Sequence, residues 1–526
     1  MLKTIWLIVC LSILTSFVSV CSAANGWLNI LEEGGNNEGV LCTEAIQGAI
    51  DKAEKSGGGT IYFPSGEYLT GAIKLKNNIT LHIDSGAILK FSTNFDHYLP
   101  FVELRWEGTV MKSFSPLIYA RDVENVTITG RGTIDGQGEA WWQEIWRIES
   151  AKEELELTKY QKMTQEANAD LKTEPYYERT RSYLFHRPPL FQAFNCKNVR
   201  IEGVTIQNSP FWTINPAFCD NVTIDGVTIF NPYSPNTDGI NPTSCKNVHI
   251  SNCHISVGDD CITIKSGRDA DGRKWATPTE NVTITNCTML NGHGGVVIGS
   301  EMSGGIKKIT IANCVFDGTD RGIRLKAARG RGGVVEDIRV SNIVMNNIKE
   351  EAFMFNLFYD KNTVEEPVTE RTPIFRNIHI SNVSGTNVNT ACRIIGIPEM
   401  PIHNVTFSNI NIEAKQGFSI DTATDIELHD VKVNTELGAA FELLNSKNII
   451  LDNVSTAKPI KETPVVKLDN VSNIMINNNF QMFSTDVFLE AAGTDTKSVF
   501  LKNNIFENVK TIVKKGKGLN IDIKPN

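Results

Sequence analysis

One short phrase returns through most of this chain, and it constrains the fold more than any other feature of the sequence. The phrase is Asn-Val-Thr-Ile or a close variant, and its clearest copies begin at Asn125, Asn198, Asn221, Asn247 and Asn281. Weaker copies continue to Val499. Most copies are about 21 to 34 residues apart, which is the period of a solenoid with one coil per repeat. A single coil cannot bury its own apolar face, so stacked coils must supply the core.

Each repeat contains two short runs of alternating apolar and polar residues, and an Asn-containing corner separates the two runs. The corner residues are Asn252, Asn286, Asn313, Asn342, Asn382, Asn409 and Asn453. Asn tolerates the left-handed backbone that a sharp bend demands, and stacked corner side chains can hydrogen-bond in a ladder. We therefore predict an all-β fold, a right-handed single-stranded parallel β-helix.

An antiparallel sandwich is the alternative fold for such a pattern. Asp225-Gly226 between two strand-like runs is a hairpin signal in its favour. Other repeats place Ser251-Asn252 or Ala312-Asn313 at the same point, and these pairs are poorly suited to a turn with two positive φ angles. The solenoid is therefore the better interpretation.

The segments that flank and interrupt the repeats have their own patterns. Apolar residues recur at helical spacing from Thr43 to Glu54, which predicts a helix over the open end of the solenoid. Residues 60–63 read as a first strand. An insertion at about 137–187 is rich in helix formers, and it is either a solvated surface excursion or a wall of a substrate cleft. We expect residues 25–526 to form a single catalytic domain.

The N-terminus has the pattern of a secretory signal peptide over residues 1–24. Lys3 precedes an apolar run from Ile5 to Val20, and small residues follow it. We expect a secreted or periplasmic protein; a lipoprotein anchored through Cys21 is less favoured, because Val20 stands where Gly or Ala is typical. The apolar run is short for a membrane span, and no later segment is long and apolar enough.

Charge and cysteine content exclude some classes of function. The net charge of −9 argues against a nucleic-acid binder with a broad basic surface, but a local cationic cleft still permits an anionic substrate. The cysteines match neither a zinc pattern nor a dense disulfide scaffold. Cys253, Cys287 and Cys314 each follow an Asn at the same point of a repeat, so we predict stacked, buried thiols, although disulfides remain open.

Four short segments carry polar residues that a solenoid coil does not need. They are Asn236-Thr237-Asp238-Gly239, Gly258-Asp259-Asp260, Gly292-His293-Gly294 and Arg324-Leu325-Lys326. Each one alone is more often a turn, a solvated corner or a solvated face. Asp259 and His293 fall at the same point of neighbouring repeats, with Asp238 one coil earlier and Arg324 one coil later. The segments together therefore predict a strip of carboxylates, an imidazole and two cations.

Glycoside hydrolysis gives a chemical reason for that strip. It needs one protonated carboxyl for the leaving oxygen and one carboxylate to activate water. Three nearby carboxyls raise the pKa of at least one of them, which keeps a proton available. Arg324 and Lys326 share one face of their strand by alternation, point away from the core and suit a substrate carboxylate.

With these four motifs in this order, the chain resembles glycoside hydrolase family 28, the polygalacturonases and their relatives. The resemblance implies a hydrolysis without metal or cofactor that inverts the configuration at α-1,4 linkages between galacturonic acid units. By the same resemblance Asp259 is the general acid, Asp238 and Asp260 activate water, and His293 supports the acid. It also implies that the substrate is bound by Asn236, Arg324 and Lys326, and by Tyr359, which matches only by its distance beyond Lys326.

Segments around the motifs, such as Lys265-Ser266-Gly267 and Gly299-Ser300-Glu301, resemble the exo-acting bacterial branch of the family. We expect a monomer that acts on pectic polysaccharide or oligogalacturonides and binds no nucleic acid. A hydrolase of the same family that acts on rhamnogalacturonan is one alternative. A calcium-dependent pectate lyase and a non-catalytic carbohydrate-binding solenoid are alternatives of other classes.

Overall fold

The computed structural model describes residues 26–152, 155–171, 184–231, 233–359 and 364–523. Strands dominate these residues and pair in parallel, coil after coil, as a right-handed parallel β-helix. The predicted fold class is confirmed. The predicted signal peptide, with Cys21, lies outside the described residues. Within the described ranges, no helix is both long enough and apolar enough to cross a bilayer.

Three parallel sheets form the walls of the solenoid, and most coils contribute a strand to each of them. The first sheet carries the repeated phrases and contains β1 (Trp27–Asn29), β3 (Gly59–Phe63), β6 (Ile79–Ile83), β11 (Glu124–Gly130), β14 (Lys197–Glu202), β16 (Asp220–Asp225), β18 (Lys246–Ser251), β21 (Thr279–Thr285), β31 (Lys447–Asp452), β33 (Ser472–Asn477) and β35 (Lys497–Lys502). The second sheet contains β2 (Glu38–Leu41), β4 (Gly66–Thr70), β7 (Ala87–Phe91), β12 (Thr133–Asp135), β15 (Thr205–Gln207), β17 (Thr228–Asn231), β19 (His254–Val257) and β22 (Thr288–Met289).

The third sheet positions the polar motifs. It contains β5 (Ile73–Leu75), β10 (Ile118–Arg121), β13 (Phe191–Phe194), β20 (Asp260–Ile264), β23 (Gly294–Gly299), β25 (Ile323–Lys326), β27 (Glu351–Asn356), β32 (Pro464–Asp469), β34 (Thr485–Ala492) and β36 (Val509–Lys515). The longer strands β24 (Ile306–Asp317) and β26 (Val334–Asn346) run through the first two sheets, and β28 (Ile374–Ile395), β29 (Ile402–Asp421) and β30 (Ala423–Leu444) bend through all three.

Register between coils explains the core. In the first sheet Val199 pairs with Val222, Val222 with Val248, and Val248 with Val282, so identical side chains stack inside the solenoid. Alternation turns every second residue of each strand inward. One continuous cluster of buried side chains therefore runs from Ile30 to Ile523. Each fully buried aliphatic side chain contributes roughly 1.5–3 kcal/mol to folding.

The predicted corner asparagines have the predicted conformation. All seven have positive φ, between 53° and 57°. Their side chains form the expected ladder: Asn342 donates to Asn313 at 3.1 Å, and Asn382 donates to Asn342 at 3.2 Å. The asparagines that open the repeated phrase form a second ladder that was not predicted, in which Asn198 donates to Asn125 at 2.8 Å.

The cysteines are also as predicted. Cys253, Cys287 and Cys314 are buried, and each thiol donates to the backbone carbonyl two residues earlier, at 3.2 Å. All nine cysteines within the described ranges are free thiols. They pack as small apolar residues.

The open end of the solenoid is covered as predicted by α1 (Thr43–Lys55), which buries Ile46, Ala49, Ile50 and Ala53. The strand predicted as the first is the third, because the short strands β1 and β2 precede it in the chain; β1 also pairs with it. In β1, Trp27 and Leu28 are two apolar residues in succession, so the sequence there lacks the alternation of apolar and polar residues that predicts a strand.

The described part of the insertion is helical, as predicted, with α2 (Glu139–Glu149) and α3 (Lys159–Ala167). Trp141 is fully buried, with its ring 4.3 Å from that of Phe95. Asn168 exchanges two hydrogen bonds with Lys112, at 2.7 and 2.8 Å, and so holds the antiparallel hairpin of β8 (Val102–Trp106) and β9 (Thr109–Ser113). A fourth helix, α4 (Asp269–Trp275), follows β20.

Replacement of Asn342 separates the contribution of the ladder hydrogen bonds to stability from the contribution of a residue that tolerates left-handed backbone. Asn342→Gly removes the side-chain hydrogen bonds, which costs about 1 kcal/mol of unfolding free energy, but it keeps a residue suited to φ 57°. Asn342→Ala loses the same hydrogen bonds and also places at φ 57° a residue that tolerates left-handed backbone less well than Asn or Gly, at a further cost of about 1–2 kcal/mol. We expect urea denaturation to rank wild type above the Gly variant and the Gly variant above the Ala variant. Equal midpoints for the two variants would contradict this account.

Candidate active site

The polar motifs meet at a cavity of about 550 Å³ over the third sheet. The predicted site residues all line it, namely Asn236, Asp238, Asp259, Asp260, His293, Arg324, Lys326 and Tyr359. Its other lining residues are Glu107, Trp212, Lys265, Arg268, Ser300, Glu301, Asp320, Arg321, Arg331 and Glu350. Carboxylates and cations therefore dominate the lining.

Parallel register brings the motifs together. The backbone N–H of His293 donates to the carbonyl of Asp259 at 2.9 Å, which confirms that the two residues occupy one column on neighbouring coils. Gly239, next to Asp238, donates its N–H to the carbonyl of Asp260 at 3.0 Å. Arg324 pairs with Val297 one coil after His293. The predicted order of the coils is thus observed.

Glycine at position 292 has a steric reason. Gly292 has φ 119°, and a Cβ at this position would lie 2.4 Å from the carbonyl oxygen of Asp259. Only glycine allows the chain to pass this close and then present His293 beside the carboxylate.

The loop that carries Asp238 is held from outside the motif. Arg187, at the end of the insertion, is buried and donates to the carbonyl of Pro235 at 2.6 Å and to Oδ1 of Asn236 at 2.7 Å. The free amide group of Asn236 then reaches Oδ2 of Asp259 at 3.4 Å. Nothing in the sequence distinguishes Arg187 from the other basic residues of the insertion.

Asp259 and His293 form a pair at the open side of the cavity. Nδ1 of His293 lies 3.1 Å from Oδ1 of Asp259, and the imidazole is about half exposed. Burial favours a higher pKa for Asp259, but the hydrogen bond from His293 and the charge of Lys326 outweigh it and lower the pKa to about 2. The same hydrogen bond raises the pKa of His293. The pair therefore holds its proton on the imidazole.

Asp238 is the carboxyl that burial and crowding affect most. Its Oδ2 accepts hydrogen bonds from Asn241 at 2.8 Å and Thr263 at 3.2 Å, and the ammonium of Lys265 lies 3.7 Å away. Burial, followed by the charge of Asp259, raises the pKa of Asp238 to about 8. The sequence predicted a raised pKa in the cluster, and the structure locates it at Asp238 and not at Asp259.

Asp260 is neutralised by the two predicted cations. Lys326 donates to its Oδ2 at 2.8 Å, and the guanidinium of Arg324 lies 3.7 Å from its Oδ1. Lys326 is accordingly buried, although both side chains line the cavity as the strand alternation predicted. The Tyr359 ring lies 5.6 Å from the Arg324 guanidinium and 5.4 Å from the Lys326 ammonium, so the structure brings this residue to the site as well.

The tip of the β8–β9 hairpin forms part of the cavity wall, where Glu107 is one of the lining residues. Glu107 and Gly108 form a two-residue turn with φ 40° and 84°. The turn packs on Arg268, whose N–H donates to the carbonyl of Gly108 at 3.1 Å and whose guanidinium donates to Glu107 at 3.3 Å. No described residue of the 137–187 insertion lines the cavity, so this part supports the hairpin without itself forming the wall.

Sequence reasoning assigned no role to eight of the charged lining residues, among them Lys265, Arg268, Glu301 and Glu107. The first three lie beside the motifs in segments noted only for their resemblance to exo-acting enzymes. Glu107 is far from the motifs in sequence and reaches the cavity only through the hairpin. Its Glu-Gly pair between two alternating runs is the signal that indicates such a turn.

The raised pKa of Asp238 predicts a dependence of stability on pH. Its folded pKa of about 8 exceeds the ordinary 3.8, so the folded chain keeps a proton that the unfolded chain releases. This contribution makes the free energy of unfolding fall as the pH rises through that interval. Asp238→Asn removes the titration, and its amide oxygen can accept the same two hydrogen bonds.

We therefore expect the Asp238→Asn variant to melt a few degrees above wild type near neutral pH, with a smaller difference toward acid pH. Melting curves across this pH range measure the difference. Asp495→Asn, which changes a carboxylate in an exposed turn, is the control and should melt like wild type throughout. A stabilisation by Asp238→Asn that grows toward acid pH would contradict the raised pKa.

Comparison with known proteins agrees with the geometry. The sequence profile "Glycosyl hydrolases family 28" matches residues 185–435, which include all four motifs. A second profile, "Rhamnogalacturonase A/epimerase, pectate lyase-like", matches residues 27–182. A probable polygalacturonase of Vitis vinifera is 33% identical over 412 residues, which cover 76% of this chain and 77% of that protein.

Two solved structures are similar over most of the chain. The hyperthermoactive exopolygalacturonase of Thermotoga maritima is 36% identical with a TM-score of 0.67, covering 74% of this chain and 90% of that one. The family 28 exopolygalacturonase of Yersinia enterocolitica is 25% identical with a TM-score of 0.69, covering 82% of this chain and 79% of that one. The fold, the four motifs and these similarities establish that the chain is an enzyme of glycoside hydrolase family 28.

Proposed function

We propose that this enzyme hydrolyses α-1,4 linkages between galacturonic acid units of pectic polysaccharide, from the chain end and with inversion. The observation that carries the proposal is one cavity in which three carboxyl groups face two cations and an imidazole. Polygalacturonases and exopolygalacturonases among the relatives support the same substrate. Export through a leader at residues 1–24 remains a prediction, as does a monomeric state.

In the proposed reaction Asp259 gives a proton to the leaving oxygen. It is the most accessible of the three carboxyls, with 17% of its side chain exposed against 3% for Asp238 and 1% for Asp260. Without substrate two neighbouring groups each carry a proton: His293, whose Nδ1 lies 3.1 Å from Asp259, and Asp238. A proton that moves from either group to Asp259 as the glycosidic oxygen gains charge makes Asp259 the acid.

The water is activated on the opposite side of the bond by Asp238 and Asp260. Both are buried and fixed by neighbouring donors, so their oxygens hold a water in one orientation. Water that attacks directly, with no covalent intermediate, inverts the anomeric configuration. Arg324 and Lys326 bind the sugar carboxylate, and Tyr359 packs against both cations.

The position of the Glu107-Gly108 turn in the cavity wall supports exo action. In the proposed binding mode the turn, held by Arg268, blocks a longer chain, so a polysaccharide presents only its end to the carboxyl groups.

Pairing of the carboxyls with cations favours hydrolysis over a calcium-dependent lyase. Lys326 donates to Asp260, Lys265 lies beside Asp238, and His293 is bonded to Asp259. A calcium site needs carboxylates whose charge is available to the ion. Here the charge is already offset by protein cations.

Incubation of the enzyme with polygalacturonate tests the proposal. We expect new reducing ends, no unsaturated product that absorbs in the ultraviolet, and no effect of a chelator. Asp259→Asn should lower turnover by at least about 100-fold with an unchanged melting curve, because an amide cannot donate the proton. Proton NMR should detect the β anomer first.

Other outcomes would exclude the proposal in distinct ways. An ultraviolet-absorbing product that disappears with chelator would indicate a lyase, and no reaction on any pectic polymer would indicate a binding solenoid. Hydrolysis of rhamnogalacturonan in preference to polygalacturonate would mean that rhamnogalacturonan is the substrate. Retention of the α configuration would mean a covalent intermediate.

Exo action that depends on the Glu107-Gly108 turn leads to a separate prediction about the reaction products. Wild type should release monogalacturonate from the start, with little loss of viscosity in the polymer. Arg268→Ala removes the contact that holds Glu107, so we expect longer products and a several-fold larger viscosity loss per bond cleaved. Arg200→Ala, on the exposed face of β14, is the control. Rapid loss of viscosity with wild type would contradict exo action.

A further inference from the structure

A buried ion pair lies beside Asp238 and outside the four motifs. The ammonium of Lys265 donates to Oε2 of Glu301 at 2.8 Å, and their side chains are only 5% and 9% exposed. Each buried ion costs several kcal/mol in lost hydration, and apolar side chains fill such space at lower cost. Packing therefore does not account for the pair.

The contacts of Lys265 connect the pair to the reacting carboxyls. Its ammonium lies 3.7 Å from Oδ2 of Asp238 and 4.5 Å from the centre of the Trp212 ring. The side chain is thus held between Glu301, Asp238 and an aromatic face, with little freedom to move. A charge fixed at this distance in a buried site acts strongly on the neighbouring carboxyl.

Both members of the pair remain ionised. Burial favours a neutral Glu301, but Lys265, Arg268 and Arg331 outweigh it and hold the pKa of Glu301 well below its usual range. Burial likewise favours a neutral Lys265, and the charges of Glu301 and Asp238 keep its pKa above the ordinary value. Asp238 consequently faces a permanent cation whose own partner is a permanent anion.

We propose that Lys265 and Glu301 are positioning residues that decide how readily Asp238 gives up the proton that Asp259 needs. The inference rests on the proposed function, which assigns Asp238 to the water and Asp259 to the leaving oxygen. Lys265 and Lys326 stabilise the Asp238 anion, whereas Asp259 and Asp260 destabilise it. Glu301 moderates the attraction by engaging Lys265 directly.

The two members have opposite charges, so their removal should shift the pH profile in opposite directions. Lys265→Met removes the cation and should move both limbs of the kcat/KM profile on polygalacturonate to higher pH. Glu301→Gln leaves the cation to Asp238 alone and should move both limbs to lower pH. A cation this close changes a carboxyl pKa by about one to three units, so we expect shifts of about one pH unit or more.

Matched variants distinguish an effect on the pH profile from a general loss of stability. Glu301→Asp keeps the charge and should restore the wild-type limbs. Glu399→Gln breaks another buried pair, in which Arg329 donates to Glu399 at 2.8 Å outside the cavity lining, and should lower stability without moving the limbs. If Lys265→Met does not fold, Glu301→Gln and Glu301→Asp carry the test.

Limbs that stay in place in an active Glu301→Gln variant, or that move in the same direction in both variants, would overturn the inference. A wild-type enzyme that releases no reducing ends from polygalacturonate would instead overturn the proposed function.

Discussion

In-register stacking of parallel strands, with about 4.8 Å from one coil to the next, is the constraint on which this structure depends. It aligns equivalent residues of successive repeats in columns. Inside the solenoid the columns are aliphatic and form the core, and at the corners they are asparagines that hydrogen-bond in ladders. Outside the third sheet the same spacing brings Asp259 and His293 into contact.

Close columns of charge need compensation, and the active site shows how it is arranged. Each of the three carboxyls has a basic partner from another part of the chain. The partners are Lys265 for Asp238, His293 for Asp259 and Lys326 for Asp260. Compensation is incomplete at Asp238, where burial and the neighbouring carboxylate keep the pKa high. The fold thereby retains a proton in the site near neutral pH, at a cost in stability that the long core offsets.

Irregular segments supply what the repeat cannot. The β8–β9 hairpin interrupts the solenoid, contributes Glu107 to the cavity wall and is held by the insertion through Asn168. Arg187, at the end of that insertion, fixes the loop of Asn236 and Asp238. A repetitive scaffold gives the site its rigidity, and the excursions give it a boundary.

The sequence by itself determined the coil, the corner asparagines, the buried thiols, the capping helix and the order of the four motifs. These follow from local rules, since alternation, left-handed Asn and period are properties of neighbouring residues. It did not reveal the second ladder, the short first strand or the hairpin at Glu107, whose local signals are brief.

Only the tertiary structure decided that the high pKa belongs to Asp238, that Lys326 is buried on Asp260, and that Lys265 and Glu301 stand beside the site. The pKa and pairing of a charged group depend on its burial and on the distances to charges many residues away, and neither quantity is written in the spacing of a motif.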